Sequence, residues 1–140
     1  MVTNRTFGVE HIMGITYAGK QLIRDLLSGE SSSNLTHIGW GAGSVAFHDS
    51  QSVLGSELFP SGAGASRNAF SSVIEEDTPR QEIYRGELLS EQTNTGSISE
   101  IALFNAASGG TMLSRRTFYR IEKTVDLELQ SEYFMGVGQK

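Results

Sequence analysis

The chain reads as a mainly β protein: an antiparallel β-sandwich or curled sheet with one N-terminal amphipathic helix and an extended N-terminal arm. Three observations predict this. The 140 residues include 16 glycines and 2 prolines, only 19% are charged, and serine and threonine are abundant; such a composition is rich in turns and strands rather than in bundled helices. Short apolar stretches recur between Gly-rich turns, as in sandwiches. A single segment, Tyr17 to Ser28, carries helical spacing.

Taken in order, residues 1–15 show little periodicity beyond Phe7, Val9, Ile12 and Ile15 and read as the arm. Thr16 is placed to cap a helix, because its hydroxyl can accept from a free backbone N–H two or three residues on. Ala18, Leu22, Ile23, Leu26 and Leu27 then share one helical face, and Gly29 suits the left-handed residue that closes a helix. Glu30 to Asn34 is a loop. Leu35, Ile38 and Trp40 form a short apolar strand running into Gly39, Gly41 and Gly43. A turn-rich section follows to Gln51, then Ser52 to Phe59, and the small residues from Pro60 to Ser66 read as an exposed loop.

Strands resume with Phe70 to Ile74, before the acidic Glu75, Glu76 and Asp77, and continue with Ile83 to Leu89 and Ile98 to Phe104. Gly109–Gly110 turns the chain into Thr111 to Tyr119. The most regular alternation closes the series: Ile121, Lys123, Val125, Leu127 and Leu129, with polar residues between, predict a strand buried on one face. Together these make one β-rich domain over 16–140, large enough to bury roughly 70% of its unfolded surface, with no internal repeat.

Charge and composition narrow the function classes. The net charge of −5 and scattered basic residues argue against direct nucleic-acid binding, which needs a clustered positive surface. The one dense basic spot, Arg115, Arg116 and Arg120, would be split between two strand faces. No stretch nears the ~18 apolar residues of a membrane helix, and the first residues do not resemble a secretion signal. With no cysteine there is no disulfide, thiolate metal site or cysteine nucleophile. The reading is a soluble protein made in a reducing cytosol.

Candidate chemistry is thin. Gly39-Trp40-Gly41-Ala42-Gly43-Ser44 invites comparison with phosphate-cradling loops, but no convincing helix starts after it and no Lys-Ser/Thr pair follows, so a turn leaving a strand accounts for it better. His11, His37 and His48 lack the spacing for a shared metal; His48 and the adjacent Asp49 read as polar groups on the surface. There is no nucleophile elbow. Glu75, Glu76, Glu82 and Glu87 could be nominated as paired carboxylates, yet Glu75 to Asp77 is better read as a solvated strand end. Trp40, Tyr84, Phe104, Phe118, Tyr119, Tyr133 and Phe134 could stack on sugars, although most fall in strand patterns where rings fill cores. No catalytic role and no cofactor or metal is expected.

Two motifs carry a family likeness. A helix ending in a Gly-bearing loop, then Asn34-Leu35-Thr36-His37-Ile38-Gly39-Trp40-Gly41-Ala42-Gly43, then a segment with Leu54 and Glu57 in a Leu-x-x-Glu pattern, resembles the opening of tailed-phage tail-collar and tail-fibre proteins. Ile98 to Asn105 followed by Gly109 to Arg115, with Phe118 and Lys123 to Leu129 continuing it, is similar to a signature of phage tail and other virion proteins. The likeness spans about Thr16 to Leu129; family fibre proteins run much longer, and the arm is not part of the motif.

The resemblance implies a structural virion subunit, assembled in the host cytoplasm, that docks to itself as a homo-oligomer and to other particle proteins. Tail, collar or baseplate is the favoured location; a capsid decoration protein or a carbohydrate-binding tail-tip module is the alternative. The arm has nothing obvious to pack on within a small domain, so Phe7, Val9 and Ile12, with Arg115 and Arg116, are the expected interface residues. Glu100, a carboxylate inside an apolar strand, would want Arg115 or Arg116 opposite it, and is read as structural.

Overall fold

A computed structural model describes residues 14–31, 33–61, 66–77, 80–92 and 96–136. The helix α1 spans Tyr17–Ser28, with the caps its sequence predicts. The Thr16 hydroxyl accepts from the Gly19 N–H at 2.8 Å and donates to the Met112 carbonyl at 2.6 Å, so the cap also ties the helix to the sheet. Gly29 closes it at φ 79°, a conformation that glycine adopts without a Cβ penalty. Only part of the apolar face is covered. Leu22 is buried with Ile15 and Leu113, Leu26 is half-buried, while Ile23 is more exposed and Leu27 lies almost fully in solvent.

Among the described residues eight strands follow: β1 (His37–Gly41), β2 (Glu57–Leu58), β3 (Asn68–Ala69), β4 (Ser72–Asp77), β5 (Arg80–Leu88), β6 (Ser97–Phe104), β7 (Met112–Glu122) and β8 (Leu129–Gly136). They form two antiparallel sheets. The larger runs β2-β1-β6-β7, with β3 also paired to β1; the smaller runs β4-β5-β8. Neither closes on itself. Ile38, Trp40, Leu88, Ile98, Ile101, Leu103 and Tyr133 pack into the core joining the sheets.

Strand β6 explains why this core holds together. It is central in its sheet and buried on both faces from Ile98 to Phe104. Strict alternation would put Ile98 on the same side as Glu100 and away from Ile101. A register shift against β7 between Ile98 and Glu100 changes the phase, and Ile98, Ile101 and Leu103 all reach the joint core. Ala102 and Phe104 pack on the other side with Leu54 and Met112. The β6–β7 connection turns as expected, with Gly109 and Gly110 both at positive φ.

The structure corrects three expectations. The regular alternation from Ile121 to Leu129 is not one strand. β7 ends at Glu122, the chain turns with the Leu127 N–H donating to the Thr124 carbonyl at 3.1 Å, and β8 begins at Leu129. Val125 is exposed, and Lys123 is buried because its ammonium donates to the carbonyls of Ser90 and Thr124, both at 3.0 Å. A hairpin corner thus mimics the strand pattern. Second, Ile15, counted with the arm, belongs to the folded core: it bridges to Ser114 and is buried. Third, the helical face is wider than the fold covers. Phe7, Val9 and Ile12 lie outside the described residues.

Candidate functional site

The polar groups that looked most like chemistry meet under the loop linking β1 to β2. Glu100 is completely buried. Its carboxylate accepts from the N–H of Gly43 at 2.8 Å, of Gly55 at 3.0 Å and of Ser56 at 2.8 Å, and from Arg115 Nε at 2.8 Å. The glycines are required by closeness: a Cβ at Gly43 would lie 2.6 Å from a Glu100 oxygen, and one at Gly41 would overlap the carboxylate outright. Burial by itself would raise the Glu100 pKa. The donors from Ser56, Gly55, Arg115 and Gly43 overcome it and hold the carboxyl below its ordinary value. The Gly-rich loop therefore does cradle an anion, and the anion is the protein's own.

Arg115 completes the knot. Its guanidinium also donates to Gln51 Oε1 at 3.1 Å and to the Val45 carbonyl at 2.9 Å. It is 1% exposed, so it cannot serve as the docking residue expected of it; its charge is used inside the fold. Arg116, next in the strand, is half-buried. A second buried pair stands beside the first. Arg67 makes a two-point contact with Glu57 at 2.6 and 3.0 Å, donates to the carbonyls of Ala106 and Gly109, and lies 3.5 Å over the centre of the Phe104 ring.

The other nominated residues are dispersed. His37 sits on β1 beside Thr36, its pKa lowered by burial and then by Arg67. His48 is exposed and bonded to the Ser50 hydroxyl at 2.8 Å. Among the described residues, no cluster of three metal-ligating side chains occurs. Of the seven rings considered for sugar stacking, Trp40, Phe104 and Tyr133 are buried core residues, and Tyr119 is the one fully in solvent. Glu75, Glu76 and Asp77 are exposed at the end of β4, as predicted.

A concave surface lies elsewhere. Between α1 and the end of the smaller sheet opens a cleft of about 900 Å³. Its apolar lining includes Ile23, Leu26, Val73 and Met135, and carboxylates of Glu75, Glu76, Asp77 and Glu82 stand around it. The Tyr84 hydroxyl donates to Glu82; burial, then that bond and the charges of Glu82 and Glu75, raise its pKa. The register explains the exposure. Val73, Tyr84 and Tyr133 lie opposite one another across the three strands; the row begins in the joint core at Tyr133 and ends in the open at Val73, 48% exposed. On the reverse face a second in-register row, Ile74, Ile83 and Phe134, is also apolar. This sheet therefore carries an apolar row on each side.

Sequence reasoning did not find the cleft. A signal was present: Val73 and Ile74 are adjacent apolar residues, and adjacent strand residues point to opposite faces. Comparison with protein families, with characterised proteins and with solved structures returns no match.

Proposed function

We propose that this chain is a structural subunit of a tailed-phage particle, acting by self-association and by docking to other particle proteins, in the tail, collar or baseplate region. One observation carries the reading. Residues of the two motifs, far apart in sequence, meet in the interior: Gly41 and Gly43 against Glu100, Leu54 against Phe104, and Arg115 closing the set, with Glu57 held beside them by Arg67. These residues share one duty, bracing the loop between β1 and β2, and charges spent inside the fold support a protein that works through its surface. Ile23, Leu27 and Val73 supply exposed apolar side chains there, and apolar patches mark contact sites.

The test has two parts. Antibodies to the chain should label intact tailed particles purified from a culture carrying the gene, at one defined position under the electron microscope. Light scattering of the purified chain should give a mass above that of one copy, reflecting an interface of at least ~1,000 Å². Unlabelled particles together with a monodisperse monomer would sink the proposal.

A further inference from the structure

We infer that two copies of this chain pair about a two-fold axis, each laying the outer shoulder of α1 against the acidic rim formed by β4 and β5 of the other. The inference rests on the self-association proposed above and names the surfaces involved.

The shoulder follows from how α1 is seated. Gly19 and Leu22 are buried against β7, and the Thr16 hydroxyl donates to the Met112 carbonyl, so the helix is fixed in rotation on its own sheet. At ~100° per residue, Ile23 and Leu27 then lie side by side on one flank, with Lys20 and Arg24 next around the helix. Leu27 is 84% exposed and Ile23 38%. Lys20 has no carboxylate partner among the described residues, and Arg24 reaches the adjacent Asp25 at 3.4 Å in the open. The flank is apolar and edged with cations.

The rim has the opposite charge. The β4–β5 register sets Glu75 directly opposite Glu82, and like charges so placed repel. Glu76 follows Glu75 on β4, and among the described residues no lysine or arginine pairs with any of the three. Val73, half-exposed on the same face of β4 as Glu75, supplies an apolar contact. A cation from outside relieves the repulsion, and the shoulder carries two. Because α1 is pinned to β7, its Lys20–Arg24 flank cannot turn to its own rim, whereas that of a second copy can meet it. Ile23 marks the border between the patches, lining the cleft together with Val73 and Glu75. Complementary patches side by side on one surface suit an isologous pair: half a turn about an axis between them lays each on the other.

Charge exchange tests the pairing. Lys20, Arg24, Glu75 and Glu76 are all exposed, so a Lys20→Glu/Arg24→Glu chain and a Glu75→Lys/Glu76→Lys chain should keep the wild-type melting temperature. In sedimentation each alone should self-associate roughly tenfold or more weakly than wild type, since like charges now meet across the axis. Mixed in equal amounts, the two should form a heterodimer of near wild-type affinity, because both of its contacts are again opposite in charge. Arg120→Glu, exposed near the end of β7, should leave association unchanged. Leu27→Asp gives a reading that does not depend on the exchanged charges: weaker association at an unchanged melting temperature. Reversed chains and a Leu27→Asp chain that associate like wild type would overturn this interface and leave self-association standing. Loss in both reversed chains with no recovery on mixing would overturn the reciprocal pairing. A wild-type chain that stays monomeric at every concentration would remove this inference and the self-association beneath it.

Discussion

Glu100 shows how one residue can set the conditions for a whole loop. Four donors converge on its carboxylate, three of them backbone N–H groups of the β1–β2 connection. Replacing Glu100 with Gln should cost about 3–5 kcal/mol, since Arg115 would be left buried without its counter-charge; urea unfolding measures it. The pH dependence follows from the depressed carboxyl. Its stabilisation is fully present above the ordinary glutamate range, ~4.3, and is lost as pH falls through the lower value it has in the folded state. The wild-type midpoint should therefore drop on the acid side, and Glu100→Gln should show a flatter acid limb. Identical limbs would assign the acid sensitivity to other groups. Removing both partners, as Glu100→Leu with Arg115→Met, should cost less than the sum of the single changes, because no lone charge remains.

At the scale of elements, the β6–β7 hairpin and the seat of α1 are the places where a small change should be felt most. Phe104 is buried between Leu54, Met112 and the Arg67 guanidinium, so Phe104→Ala should destabilise by about 3–5 kcal/mol. A melting temperature near that of wild type would mean the ring is not part of the core. Gly19→Ala separates local from tertiary preference. Alanine favours a helix by about 1 kcal/mol over glycine, yet a Cβ at Gly19 would run into the Leu113 carbonyl on β7. The expected outcome is a lower melting temperature, against little change for Gln21→Ala on the solvent side of the same helix. The helix caps were legible because Thr16 and Gly29 act locally. The end of β7 was not, because Ile121 to Leu129 alternates in the same way through a hairpin corner as it would along a strand.

For the whole molecule, the question is which surfaces are left to do work once the interior charges are accounted for. Sheet β4-β5-β8 carries an apolar row on each face, and the row through Tyr84 ends in the open at Val73. Val73→Arg should therefore weaken self-association at least tenfold by sedimentation while leaving the melting temperature within a degree or two, since a half-exposed position adds little to the core. A large fall in melting temperature with unchanged association would place Val73 in the fold rather than at a contact.

Sequence alone was sufficient for what depends on near neighbours: the β class, the helix from Tyr17 to Ser28 with both its caps, the Gly109–Gly110 turn, and an internal role for Glu100. Tertiary structure decided everything that depends on which strands meet. It chose Arg115 rather than Arg116 as the buried partner of Glu100 and so removed it from the expected surface contacts, drew Ile15 into the core, and left Ile23 and Val73 facing an open cleft. The physical reason is that alternation tells which residues share a face but not what lies opposite that face. Burial of a charge depends on distant N–H groups from residues 43 to 56, and an uncovered apolar row depends on where a second sheet happens to end.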